Sequence, residues 1–184
     1  KITLLAPKLD GIMISDFVYG VITNKILESI TKLSEQFGIK LYGDLQCSSQ
    51  VGKVSKFSGF DLITPTEKES RIALEDNESG IEWIANTLMN NTNSKNMLIK
   101  LGSDGFIAYG NTKSSIERQN FPALVVNPVD VTGAGDSLFA AMSVSLSSGA
   151  SLIEASAIGV CMASLAVKEV GNTAITKEKL SNCI

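Results

Sequence analysis

The chain has 184 residues, 44% of them hydrophobic and 19% charged, with a formal net charge of -3. This balance argues against disorder and fits one folded domain with a sizeable core, while the small negative charge gives neither the basic footprint of a nucleic-acid binder nor that of a membrane-surface protein. The absence of histidine removes histidine triads and histidine-ligated metals, and three distant cysteines, Cys47, Cys161 and Cys183, form no CxxC pair that would signal a disulfide framework or a zinc site. A reducing compartment, the cytoplasm, is therefore expected. The start, KITLLAPKLD, is broken by proline and charges and does not read as a signal peptide. The longest apolar run, Leu152 to Val167, contains Glu154 and several serines and falls short of the ~20 residues of a membrane span, so it reads as a buried helix.

Strand and helix signals alternate along the chain. GIMIS (Gly11 to Ser15) is a short apolar strand. Thr23 then caps an amphipathic helix with Ile26, Leu27, Ile30, Leu33 and Phe37 at helical spacing and Gly38 at its end. IKLYGD (39–44) is the next strand, followed by a polar loop through Gly59. DLITP (61–65) is a strand, TEKESRIAL a helix, and the Asp76–Gly80 cluster breaks it before a second helix from Ile81 to Met89. NMLIKLG (96–102), the tight turn Ser103-Asp104-Gly105 and FIAYG form a β-hairpin, and SSIERQ extends the sheet. After NPVDVTGAGDSLFAAM (127–142), Leu138, Met142 and Leu146 share a helical face up to Gly149; the Leu152–Val167 helix and a short helix capped by Thr176 close the chain. The order predicts an α/β layered domain with a mostly parallel sheet, with no repeat and no domain boundary.

The chemistry concentrates in TGAGD. Gly133 and Gly135 reach backbone angles closed to other residues, and small side chains leave helix-start amides open to an anion, which suits a phosphoryl group. Asp136 lies inside the first turn, whereas an N-cap aspartate would precede it. Its carboxylate repels a phosphate unless a substrate hydroxyl lies between them, giving up its proton to the aspartate. The alternative is that Asp136 only complements the helix dipole and the glycines only allow close packing.

The complete string resembles the C-terminal signature of the ribokinase-like, or PfkB, carbohydrate kinases. In that family the GAGD aspartate is the catalytic base and the preceding amides form the anion hole, roles that the resemblance places on Asp136 and on Gly133, Ala134 and Gly135. Other segments resemble the family in the same order. SDFVYGVIT (15–23) is similar to the SDYGKGVLT segment of the heptose-phosphate kinase branch and makes Asp16 a substrate-side residue. DLITPTEKES is similar to the TPNxxE segment, LGSDGFIAYG to the GxxG nucleotide loop, and LAVKEVGNTAIT to the VVGKLGTATVS segment that closes the heptose kinase domain. The implied fold is a ribokinase-like three-layer α/β/α arrangement, and the implied cofactors are ATP and Mg²⁺, with K⁺ in some relatives.

Departures qualify the site. Tyr19 replaces the lysine of SDYGKG, and Thr66 replaces the asparagine of NxxE, while Glu69 keeps the glutamate that helps to organise magnesium through water; a solvated helix face is the other reading of Glu69. Lys100 stands where the nucleotide loop usually has threonine, and either reaches a phosphate or leaves the strand end for solvent. Gly102 and Gly105 are read as nucleotide-approach glycines or as plain turn residues. Asp130 and Thr132 match positions that hold a monovalent cation in some relatives, and local capping explains them equally well. Val160 replaces an asparagine near the adenine pocket, which leaves the adenine on apolar surface around Ala163 and Val167. Asp44 matches the aspartate of VDPKG, with Leu45 and Gln46 in place of its proline and lysine; it is a ligand-facing carboxylate or a satisfied turn residue.

Complete family members carry a long N-terminal part, with a glycine-rich sugar-binding strand and a β lid, that nothing here matches. Residues 1–184 are thus expected to be the C-terminal nucleotide-binding and catalytic portion, poorly active alone. An open sheet edge then predicts a homo-oligomer or a chain that supplies the missing part. The rival expectation is a non-catalytic nucleotide-binding or regulatory domain; a purely structural domain would require an accidental GAGD.

Overall fold

Along Lys40–Leu45 the side chains alternate between two different cores: Leu41 and Leu45 pack with Ile14, Leu27 and Ile63, while Tyr42 packs with Leu62, Leu98 and Leu138. A strand buried on both faces is the mark of a sheet covered by helices on either side. The computed structural model, which describes residues 1–46, 53–111, 116–125, 127–171 and 173–183, has that form. Its six strands are β1 (Gly11–Asp16), β2 (Lys40–Leu45), β3 (Leu62–Ile63), β4 (Asn96–Lys100), β5 (Phe106–Asn111) and β6 (Ile116–Phe121), and they lie side by side in that order. β1 to β4 run parallel; β5 and β6 are antiparallel additions. The outer edge of β1 has no partner strand among the described residues.

Helices α2 (Asn24–Phe37), α3 (Glu67–Leu74) and α4 (Ile81–Thr92) cover one face. α5 (Ala134–Ser147) and α6 (Leu152–Ala166) cover the other. Short helices α1 (Ile2–Leu5) and α7 (Lys177–Ser181) flank the two ends. Thr23 caps α2 through its side chain, and Gly38 closes it at φ 69, as its sequence predicts. α5 and α6 touch closely: a Cβ on Gly159 would lie 2.6 Å from Leu138 Cδ1 and 2.9 Å from Met142 Cγ.

Several expectations are revised. α1 carried no sequence signal. α4 runs to Thr92, three residues past Met89. The strand read over 61–65 shrinks to two residues, Leu62 and Ile63, although the Asp61 and Thr64 N–H groups still donate to β2 carbonyls. The segment read as a polar loop places Val54 and Phe57 in the core at 0–1% exposure, and Phe60, just after it, is buried as well. Residues 47–52 of that loop, including Cys47, and residues 112–115 lie outside the described residues. Cys161 and Cys183 are free thiols. No helix among the described residues is long and apolar enough to cross a membrane.

Candidate active site

The C-terminal ends of β2 and β4 and the N-terminus of α5 meet at one place, as expected for a parallel sheet whose helices begin where its strands end. α5 starts from Gly133, which sits at φ 78 and ψ 0, a left-handed conformation that turns the chain abruptly into the helix. The Ala134 N–H donates to the Val131 carbonyl at 3.3 Å and the Ser137 N–H to the Gly133 carbonyl at 2.9 Å. The amides of Gly135 and Asp136 make no backbone hydrogen bond among the described residues. Of the three small residues read as an anion hole, Gly133, which also makes the turn, and Gly135 have N–H groups with no backbone partner among the described residues, and Ala134 is partly engaged; Asp136 adds a donor that the sequence reading did not include.

The Asp136 carboxylate is half-buried, and its Oδ1 accepts from Gln46 Nε2 at 2.8 Å. Desolvation first, and then the charge of Asp44, push its pKa above the usual carboxylate value, while Lys100 and the Gln46 bond pull the other way. Asp44 is wholly buried. Its Oδ1 accepts from Thr64 Oγ1 at 2.6 Å and from Lys100 Nζ at 2.7 Å, and its Oδ2 has no hydrogen-bond partner among the described residues. The same Lys100 nitrogen lies 3.8 Å from the point where a Cβ on Gly135 would stand. Lys100 therefore does not leave for solvent: its side chain is 15% exposed and spans from the end of β4 to the first turn of α5.

The other candidate residues are placed around this cluster. Asp16 is buried at the end of β1, accepts from the Val18 N–H at 2.9 Å, and is ion-paired with Lys56. Val18 itself stands at φ 62, a strained angle for a β-branched residue, just before the exposed Tyr19. Glu69 is 6% exposed, so the solvated helix face is ruled out. It forms a capping box with Thr66: the Thr66 N–H donates to Glu69 Oε2 at 2.8 Å and the Glu69 N–H to Thr66 Oγ1 at 3.1 Å. An open groove of about 520 Å³ lies between α3 and the turn after β4, bordered by Thr66, Lys68, Arg71, Asn77, Lys100 and Gly102. Gly102 faces open space, whereas a Cβ on Gly105 would lie 2.1 Å from the Phe121 carbonyl oxygen, so Gly105 is held by the chain's own backbone.

Asp130 and Thr132 sit apart from the carboxylate cluster. Asp130 accepts from the Thr132 N–H and the Gly171 N–H, both at 2.9 Å, and these amides hold its carboxyl below the usual range. The Val167 carbonyl accepts from Val129 at 2.8 Å, so the end of α6 is tied to the loop leading into α5. Ala163 and Val167 are partly buried along the last turns of α6 and do not border the groove. Val160 is buried in the core with Leu138 and Met142. No cluster of three or more acidic or cysteine side chains suited to a metal occurs among the described residues. Sequence reasoning missed Thr64 and Lys56, whose partners are 20 and 40 positions away; Gln46 was visible only as a departure from VDPKG.

Comparison with solved structures places this architecture. The ribokinase of Arabidopsis thaliana complexed with ribose and ATP matches 98% of the chain over 57% of its own length, with a TM-score of 0.80 and 20% identity. The phosphofructokinase-2 of Escherichia coli in complex with potassium matches 94% of the chain over 55% of its own, with a TM-score of 0.75 and 21% identity. The fold is thus ribokinase-like. Among curated sequences, the bifunctional protein HldE of Syntrophotalea carbinolica is 27% identical over 179 residues, which are 95% of the chain and 35% of the relative. The chain therefore spans about a third of the length of that relative. A family model described as pfkB family carbohydrate kinase matches residues 6–179, and the chain belongs to that family.

Proposed function

We propose that the chain is the nucleotide-binding and catalytic part of an ATP-dependent kinase acting on a sugar or sugar-phosphate hydroxyl. The observation that carries this reading is the placement of Asp136, a carboxylate of raised pKa beside two open helix-start amides. A raised pKa makes a carboxylate a better acceptor for a hydroxyl proton. In the proposed step the hydroxyl proton passes to Asp136 as the sugar oxygen bonds to the γ-phosphorus; the bond from that phosphorus to the β–γ bridging oxygen breaks, and ADP leaves with its electron pair. The Gly135 and Asp136 amides offset charge on the transferring group.

Glu69 is the residue that would hold a magnesium ion, which would supply positive charge to offset the nucleotide's phosphates. Glu69, a single carboxylate held in the capping box with Thr66, is proposed to meet it through water, which suits an ion that keeps most of its own water shell. A potassium site is proposed at Asp130 and Thr132, where each Asp130 oxygen accepts one backbone N–H bond and keeps a further lone pair for a cation. The adenine is proposed to rest against Ala163 and Val167. The HldE relative, together with SDFVYGVIT and LAVKEVGNTAIT, favours a heptose 7-phosphate as the sugar. A cytoplasmic setting is proposed, and the open edge of β1 supports association with a second copy or with a segment supplying the sugar-binding part.

Phosphoryl transfer is to be assayed in the protein that contains this chain, with heptose 7-phosphate, ribose, fructose and fructose phosphates as acceptors and Asp136→Asn as control. Turnover on one acceptor, lost in the control, supports the reading. ATP binding without turnover on any of them supports a regulatory nucleotide-binding domain, a second reading motivated by Tyr19 and Thr66.

A further inference from the structure

The Asp136 carboxylate poses an electrostatic problem for the site just described, since it stands beside the amides that are to receive a phosphoryl group. The Lys100–Asp44 pair answers it. A buried carboxylate needs a compensating charge, and Lys100 supplies it to Asp44 at 2.7 Å. An ammonium has three donors, and among the described residues Lys100 Nζ donates to Asp44 alone. Its position over Gly135 leaves the remaining donors next to the open amides of Gly135 and Asp136. Asp44 is itself fixed by Thr64, which donates to the same Oδ1 that Lys100 meets, and it is fully buried.

We propose that Lys100 is a phosphate-contacting residue of this site, its ammonium meeting the terminal phosphate above the Gly135 and Asp136 amides, and that Asp44 is the positioning residue that aims it. Asp44 then acts on the nucleotide through Lys100 and touches no substrate. The proposal rests on the kinase reading and adds to it a cation carried by the chain itself, at a position where the resembled nucleotide loop has threonine.

The test is calorimetric titration of ATP and of adenosine into the wild type, Lys100→Met, Lys100→Arg and the double variant Asp44→Asn/Lys100→Met. A charge-assisted contact predicts ATP binding weakened about 10- to 100-fold in Lys100→Met, with adenosine affinity unchanged and part of the loss recovered in Lys100→Arg. Lys100→Met leaves Asp44 buried without its partner, so the double variant, which removes both charges, keeps the test independent of folding. That variant is expected to regain thermal stability and still bind ATP about 10- to 100-fold more weakly than the wild type. Wild-type ATP affinity in the double variant, or an equal loss for ATP and adenosine, overturns the proposal and leaves the kinase reading standing. A wild type that binds neither ATP nor adenosine overturns the nucleotide reading itself, and the proposal with it.

Discussion

Gln46 donates from Nε2 to Asp136 Oδ1 at 2.8 Å, so a neutral amide orients the candidate base where the resembled VDPKG segment would bring a lysine. Burial and the Asp44 charge outweigh the Lys100 and Gln46 contributions and raise the Asp136 pKa. For an acid whose folded pKa lies above its unfolded value, the folded state loses stability as pH rises through the folded pKa, and the loss is absent below the unfolded value of about 3.9. Asp136→Asn is therefore expected to raise the thermal midpoint at pH 7, to lose that advantage below about pH 4, and to lower transfer by about 10²–10⁴-fold. Thermal unfolding at both pH values checks the first part; equal midpoints for the two proteins at pH 7 would contradict it.

Thr66 and Glu69 allow a cap to be separated from a metal-site role. Thr66→Ala is expected to cost about 1 kcal/mol, which for a chain of this size is about 2–4 °C in melting temperature. Glutamine also serves at the third position of a capping box, so Glu69→Gln is expected to keep the midpoint while weakening magnesium-dependent turnover. A large loss of stability in Glu69→Gln would show that more than the cap depends on its charge.

The two glycines of the β4–β5 turn respond differently. Gly102→Ala meets open space and bears only the cost of a left-handed angle, about 1–2 kcal/mol. Gly105→Ala drives a methyl to within 2.1 Å of the Phe121 oxygen at φ 90. It is expected to separate β6 from the turn and to cost more than Gly102→Ala by about 2 kcal/mol or more. Denaturant unfolding of both variants measures the difference, and similar midpoints would contradict the packing.

Tyr109 gives an alkaline signature. Burial first, and the neighbouring Glu82 charge second, push its phenol up to about 12. Folded and unfolded states then bind protons differently between about pH 10 and the folded value, and stability falls as pH rises through that window. Tyr109→Phe is expected to lose less stability than the wild type between pH 9 and pH 11; parallel curves would mean that the phenol ionises freely in the folded state.

Much of the scaffold is legible in local sequence, because its signals are local. Thr23 and Gly38 bound α2, Ser103-Asp104-Gly105 turns the hairpin, and the T-x-x-E spacing of Thr66 and Glu69 encodes a cap even where the glutamate invites a metal reading. Phe57 and Phe60 were hidden because two aromatics in a serine- and lysine-rich segment make no periodic pattern. The Lys100–Asp44 pair was illegible for another reason: its members are 56 positions apart, and only the lateral order of β2, β3 and β4 brings them together. GAGD announces the helix start, but not which amides stay open; that depends on Ala134 turning back to Val131.

The close contact of α5 and α6 at Gly159 has a mechanical consequence. The two helices form a hairpin, so the start of α5 and the end of α6 lie at the same end of the sheet, laced together by the Val129–Val167 and Asp130–Gly171 hydrogen bonds. With almost no space between them, the helices are expected to move as one block. The distance from the end of α6 to the amides of α5 is thereby set like the jaws of a caliper, and under the proposed kinase reading a closing motion about the acceptor is expected from other parts of the protein.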